Sequence, residues 1–144
     1  MFESHMSEFM YTIDRIVLTL WIGTLWSVGL MVAPVLFHQL ERSQAGTVAG
    51  ALFGITAWIG FGCGLYLLAT RWYRGGFRFD TPLVLIVVML LVTAIGEFVL
   101  APRIAGLRVS GAVDTVDFRR LHGLSSMLYL ANCVMGLVLV ARAR

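Results

Sequence analysis

Residues 82–102 read PLVLIVVMLLVTAIGEFVLAP, an apolar run interrupted by a single ionisable side chain, Glu97. A helix of about 20 apolar residues crosses the hydrocarbon of a bilayer, so this run is long enough to span one. Three further runs repeat the pattern. Residues 16–37 and 44–70 carry no charge, and residues 121–141 carry only His122 near their start.

Composition agrees with lipid as the solvent. Of 144 residues, 59% are hydrophobic and 13% charged, with a mean hydropathy of +0.87, well outside the range of a water-soluble domain. Four spans use most of a chain this short, which leaves one domain over residues 1–144 and no soluble module. Backbone polar groups in hydrocarbon must be paired within a helix or around a closed barrel, and these runs lack the alternation of barrel strands. The expected fold is all-α, an integral membrane four-helix up-down bundle in a lipid bilayer, with spans at about 14–38, 44–70, 82–102 and 117–142.

Glu3, Glu8 and Asp14 precede the first span, the reverse of the basic start of a signal peptide, so that span is expected to be kept as an anchor. The net charge of +3 comes from arginines scattered among the connections, with no lysine, which argues against nucleic acid as a partner. Lipid headgroups account for arginines so placed. Cys63 and Cys133 fall singly inside spans and read as small apolar residues.

Within span one, Pro34 lacks a backbone donor and is expected to bend the last turn near His38. A short connection leads to span two, with Ser43 as its expected N-cap. Gly46, Gly50 and Gly54 then recur every four residues, a stripe that admits close backbone approach; it reads as the seam of the bundle, with a glycine-lined conduit or a face for a homo-oligomer as the alternatives. Residues 71–80, RWYRGGFRFD, set arginines among aromatics and suit the headgroup layer. Thr81-Pro82 restarts the chain as N-cap and first helical residue, and Pro102 is expected to end span three.

Four spans put both termini on the side of residues 71–80. That side holds Arg15, Arg71, Arg74, Arg78, Arg142 and Arg144, one more arginine than the other side, so the positive-inside rule leans toward cytoplasmic termini in the cell (inner) membrane.

Polar chemistry is expected to gather at the opposite face. His38 closes span one, Glu97 lies late in span three and His122 opens span four, near Arg103 and Arg119. Along span four, Phe118, His122, Ser125 or Ser126, Tyr129 and Cys133 share a stripe with Asn132 at its edge. The candidate polar pocket is therefore His122, Glu97, Arg103, Ser125, Ser126, Asn132, His38 and Arg119. An ionisable residue inside a span is rare and calls for a partner, so Glu97 leads the set. The structural alternative has Glu97 paired with Arg103, Arg119 or His122 to fix the register of the bundle.

The stretch Phe118-Arg119-Arg120-Leu121-His122-Gly123-Leu124-Ser125-Ser126 resembles the opening of the last helix in the transmembrane-protein-205-like domain family. Val35-Leu36-Phe37, Leu52-Phe53 and Leu100-Ala101-Pro102-Arg103 add to the likeness. The resemblance implies a four-helix membrane bundle of unsettled activity, whose eukaryotic relative is associated with cellular resistance to platinum drugs. It carries over His122, Ser125, Ser126, Arg103 and Asn132; His38 and Glu97 are not part of its pattern.

Three functions fit these residues. The first is a transport or efflux-associated protein that handles a small solute in the polar pocket. The second is a membrane haem or redox protein with His38 and His122 as axial ligands. The third is a non-catalytic assembly or interaction protein. No nucleophile and base, phosphate loop or paired carboxylates stand out, and the sequence reads as no enzyme, with no metal or cofactor beyond that haem alternative.

Overall fold

A computed structural model describes residues 2–75 and 79–142, with side chains from residue 8 onward. Four helices fill it, each long and apolar enough to cross a bilayer: α1 (Glu8–Gln39), α2 (Arg42–Gly75), α3 (Thr81–Val109) and α4 (Val116–Arg142). Helix α1 continues one that begins at Phe2. Short connections make successive helices antiparallel, so the chain is an all-helical up-down bundle and a multi-pass membrane protein. Gly76, Phe77 and Arg78 of the arginine-aromatic stretch, Arg144, and the side chain of Glu3 lie outside the described residues.

Neither proline ends its helix. Ser27–Val32 in α1 and Gly96–Leu100 in α3 are wound as π-helix, and each is followed at once by an Ala-Pro pair, Ala33-Pro34 and Ala101-Pro102. In both, the alanine N–H reaches back five residues, from Ala33 to the Val28 carbonyl and from Ala101 to that of Gly96. A proline ring collides with the carbonyl four residues earlier, and a wider turn ahead of it moves that carbonyl aside. The sequence pattern predicted an end at Pro102; helix α3 instead runs on to Val109.

The helix ends have local causes. Asp80, rather than Thr81, caps α3, its Oδ1 accepting the Leu83 N–H at 2.9 Å. Helix α2 starts at Arg42, one residue ahead of the expected cap Ser43. Helix α3 closes on Gly111 at φ 74°, with the Ala112 N–H on the Leu107 carbonyl at 2.9 Å and the Gly111 N–H on that of Arg108 at 3.1 Å. A left-handed residue after the helix closes this Schellman turn, and glycine takes that conformation without a Cβ clash. Thr115 then caps α4 by accepting the Phe118 N–H at 3.2 Å.

The core is built by close approach, because lipid is as apolar as leucine and only packing and hydrogen bonds reward helix contact. Trp21 is 1% exposed and lies against Gly60, where an added Cβ would meet the indole Nε1 at 2.8 Å. Trp26 donates from Nε1 to the Cys133 carbonyl at 3.2 Å, tying α1 to α4. The two cysteines are free and buried. Outward faces carry Leu20, Ile55, Trp58, Leu91 and Leu130, all more than half exposed, as a lipid-facing surface requires.

The terminal side of the bundle is clasped by charge. Arg74 pairs with Asp14 and lies 4.7 Å over the Tyr11 ring, Arg71 pairs with Asp80, and Arg142 donates to Thr81 Oγ1 at 3.1 Å. The Leu83 amide, and beyond it Arg71, hold the Asp80 carboxyl below the usual carboxylate range against the opposing effect of its slight burial. A carboxyl so lowered stabilises the fold above its unfolded value of about 3.9 and loses that contribution as pH falls through its folded value. We expect Asp80→Ala to lower stability at pH 7 by about 1 kcal/mol, the cost of an N-cap, and to lose most of this penalty near pH 2. Thermal melts in detergent at the two pH values check it; an equal penalty at both would show that ionisation plays no part.

Candidate functional site

The polar residues read from the sequence divide into three places. His38, His122, Arg103, Arg119 and Ser126 are exposed at the non-terminal end, with Ser125 half-buried beside them. The His122 ring stacks parallel to Phe118, centroids 5.9 Å apart, and Ser126 Oγ donates to the His122 carbonyl at 2.9 Å. Asn132, 3% exposed, sits deeper and donates to Thr93 Oγ1 at 2.9 Å, while its own Oδ1 has no hydrogen-bond partner.

Glu97 stands apart from both groups. With α3 extended to Val109, it lies just past the middle of the helix instead of near its end. It is half-buried within the π segment of α3, and its carboxylate faces Gly54 of α2, where a Cβ would meet Oε1 at 3.4 Å. Among the described residues the ion pairs are Arg71–Asp80 and Arg74–Asp14, so Glu97 is paired with neither Arg103, Arg119 nor His122. The arginine that shares its groove is Arg108. Eleven residues make about three helical turns, which returns Arg108 to the face of Glu97, with buried Leu100 and Ile104 between them. Its guanidinium lies over Gly46, where a Cβ would come within 3.0 Å of Nη2, and reaches toward Gly50, where a Cβ would lie 3.8 Å from Nη1.

The glycine stripe of α2 is thus a seam filled by α3 of the same chain, and an acid and a base lie along it, each without an ion-pair partner among the described residues. At 1.5 Å per residue their Cα atoms stand about 16 Å apart along the helix, Arg108 in the end turn and Glu97 at hydrocarbon depth. Arg108 was missed in the sequence because span three was expected to stop at Pro102. Its signal was the eleven-residue spacing from Glu97, legible only once the helix is carried past that proline.

A second junction faces the seam from α4. Tyr129 donates its hydroxyl to the Leu25 carbonyl at 2.6 Å, beside the Gly29 amide, so it stands where the ladder of α1 widens into its π turn. A Cβ on Gly29 would come within 2.3 Å of the Tyr129 ring, and the ring meets Phe53, next to Gly54, edge-on at 4.9 Å. Among the described residues, no three His, Cys, Asp or Glu side chains converge as metal ligands.

Comparison with known proteins adds a family without an activity. No solved structure matches the chain. It is 33% identical over 106 residues to an uncharacterized protein of Aquifex aeolicus (strain VF5), a match covering 74% of this chain and 75% of that one. Residues 16–112 match the family model described as a domain of unknown function, DUF4149. The matched region takes in most of α1, all of α2 and α3 and both groove charges, and leaves outside it the His122 motif on which the sequence resemblance rested. The chain belongs to the DUF4149 family.

Proposed function

We propose that this protein is a small, non-enzymatic transport or efflux component of the cell membrane, its termini cytoplasmic, that handles a cationic solute in the seam between α2 and α3. The observation that carries this reading is the Glu97 carboxylate, held against Gly54 at hydrocarbon depth with no ion pair among the described residues. An ionised group there is costly and persists where it faces protein or a wet cavity that its function requires. The π turn supports the same reading, since such turns favour functional positions and this one aims Glu97 into the seam. The likeness of residues 118–126 to the transmembrane-protein-205-like family, with its platinum-drug association, adds a cationic metal complex to the solutes worth testing.

Reconstitution in liposomes tests it. Wild-type protein is expected to move at least one of a divalent metal, a cationic platinum complex or an organic cation. Glu97→Gln, isosteric and neutral, is expected to lower that flux at least tenfold with the helical signal unchanged. Absence of flux for every solute, or equal flux in the variant, would overturn the reading.

A further inference from the structure

At the non-terminal end, α3 and α4 enclose a shallow depression of about 570 Å³ lined by Arg103, Gly106, Leu107, Ser110, Asp117, Arg120 and Leu121. Its chemistry is ordered by depth. Ser110 follows the last turn of α3 and Asp117 lies in the first turn of α4, so both stand outermost. Arg120 is one turn further in, and Arg103 two turns inside Ser110. Both arginines are exposed, and neither pairs with Asp117 or any other described carboxylate. The Ser110 hydroxyl donates to the Leu107 carbonyl at 3.1 Å, which leaves its oxygen as an acceptor. Leu107 and Leu121 supply apolar wall at the same level.

Donors therefore lie deep and acceptors outside, at the mouth of a membrane-spanning hairpin. A phospholipid with a primary amine presents the matching order: acyl chains, then phosphate, then ammonium farthest from the hydrocarbon. We propose that this depression binds the headgroup of an aminophospholipid, the phosphate between Arg103 and Arg120 and the ammonium on Asp117 and Ser110. Guanidinium suits phosphate by charge and by its fork of donors. Basic pockets between spans are a recurrent means of holding lipid headgroups. Asp117 makes the site selective, because a purely anionic headgroup gains from the arginines and is repelled by the carboxylate. This site stands independently of the transport reading, which rests on Glu97.

Native mass spectrometry of the delipidated full chain in detergent reads the binding, with phosphatidylethanolamine, phosphatidylcholine and phosphatidylglycerol of identical acyl chains as probes. Phosphatidylethanolamine is expected to bind about fivefold tighter than phosphatidylglycerol, the scale of one exposed ion pair, and also tighter than phosphatidylcholine, whose quaternary ammonium has no N–H to donate to Asp117 and Ser110. Asp117→Asn is expected to abolish that preference and Asp117→Glu to keep it, while Arg103→Gln with Arg120→Gln weakens all three lipids. Soluble phosphoethanolamine, lacking acyl chains, is expected to compete poorly; binding of it as tight as of the lipid would assign the site to a free solute and overturn the lipid reading. Equal retention of the three lipids by wild type, or a preference that survives Asp117→Asn, would overturn the proposal.

Discussion

Replacing Gly29 by valine is expected to destabilise the bundle by about 2–3 kcal/mol, the upper range for overpacking a core. The Tyr129 ring occupies the space of a side chain at Gly29, 2.3 Å from the Cβ position, and cannot swing aside without breaking the bond from its hydroxyl to the Leu25 carbonyl. Freed from that bond, the carbonyl would lose a partner at hydrocarbon depth, where no water replaces it. The clash has a single source, so it has a single remedy. Tyr129→Ala combined with Gly29→Val is expected to cost less than the sum of the two single changes, by at least 1 kcal/mol in a double-mutant cycle. Detergent or denaturant unfolding measures all three variants; strict additivity would show that Gly29 and Tyr129 are not energetically coupled across α1 and α4.

The second large effect separates burial from hydrophobicity. Trp21 and Trp58 are the same residue in the same solvent, yet one is 1% exposed and the other 63%. In a water-soluble core, truncating tryptophan to alanine costs about 3–5 kcal/mol, part transfer and part cavity. Here the transfer part falls away, since lipid receives an indole as readily as protein does, and the packing part remains. Trp21→Ala is therefore expected to cost about 2 kcal/mol and Trp58→Ala less than about 0.5, because acyl chains refill the space that Trp58 leaves. Equal losses at the two positions would mean that Trp58 is covered by protein in the membrane.

Much of this architecture was legible in the chain. The four spans, their antiparallel order and the glycine seam follow from apolar run length, short connections and small-residue spacing. The positions that mislead are instructive. Pro102 read as a stop, since a proline removes one ladder bond; the π turn over Gly96–Leu100 accommodates it, and that turn leaves no compositional mark. The error propagated to the site, because a span that ends at Pro102 puts Glu97 beside His122, whereas a helix that ends at Val109 puts it close to mid-helix, with Arg108 nearer the surface. The glycine stripe, read from its spacing as the seam of the bundle, faces Arg108 and Glu97 of α3 in the same chain.

By itself the sequence determined the solvent and therefore the fold class, because hydrocarbon forces every run of this length and composition into a helix with its backbone paired internally. Only the tertiary structure decided which polar groups meet. Side-chain direction around a helix advances about 100° per residue, and the two π turns each shift that phase, so the faces of Glu97, Arg108 and Tyr129 depend on backbone winding that composition does not encode.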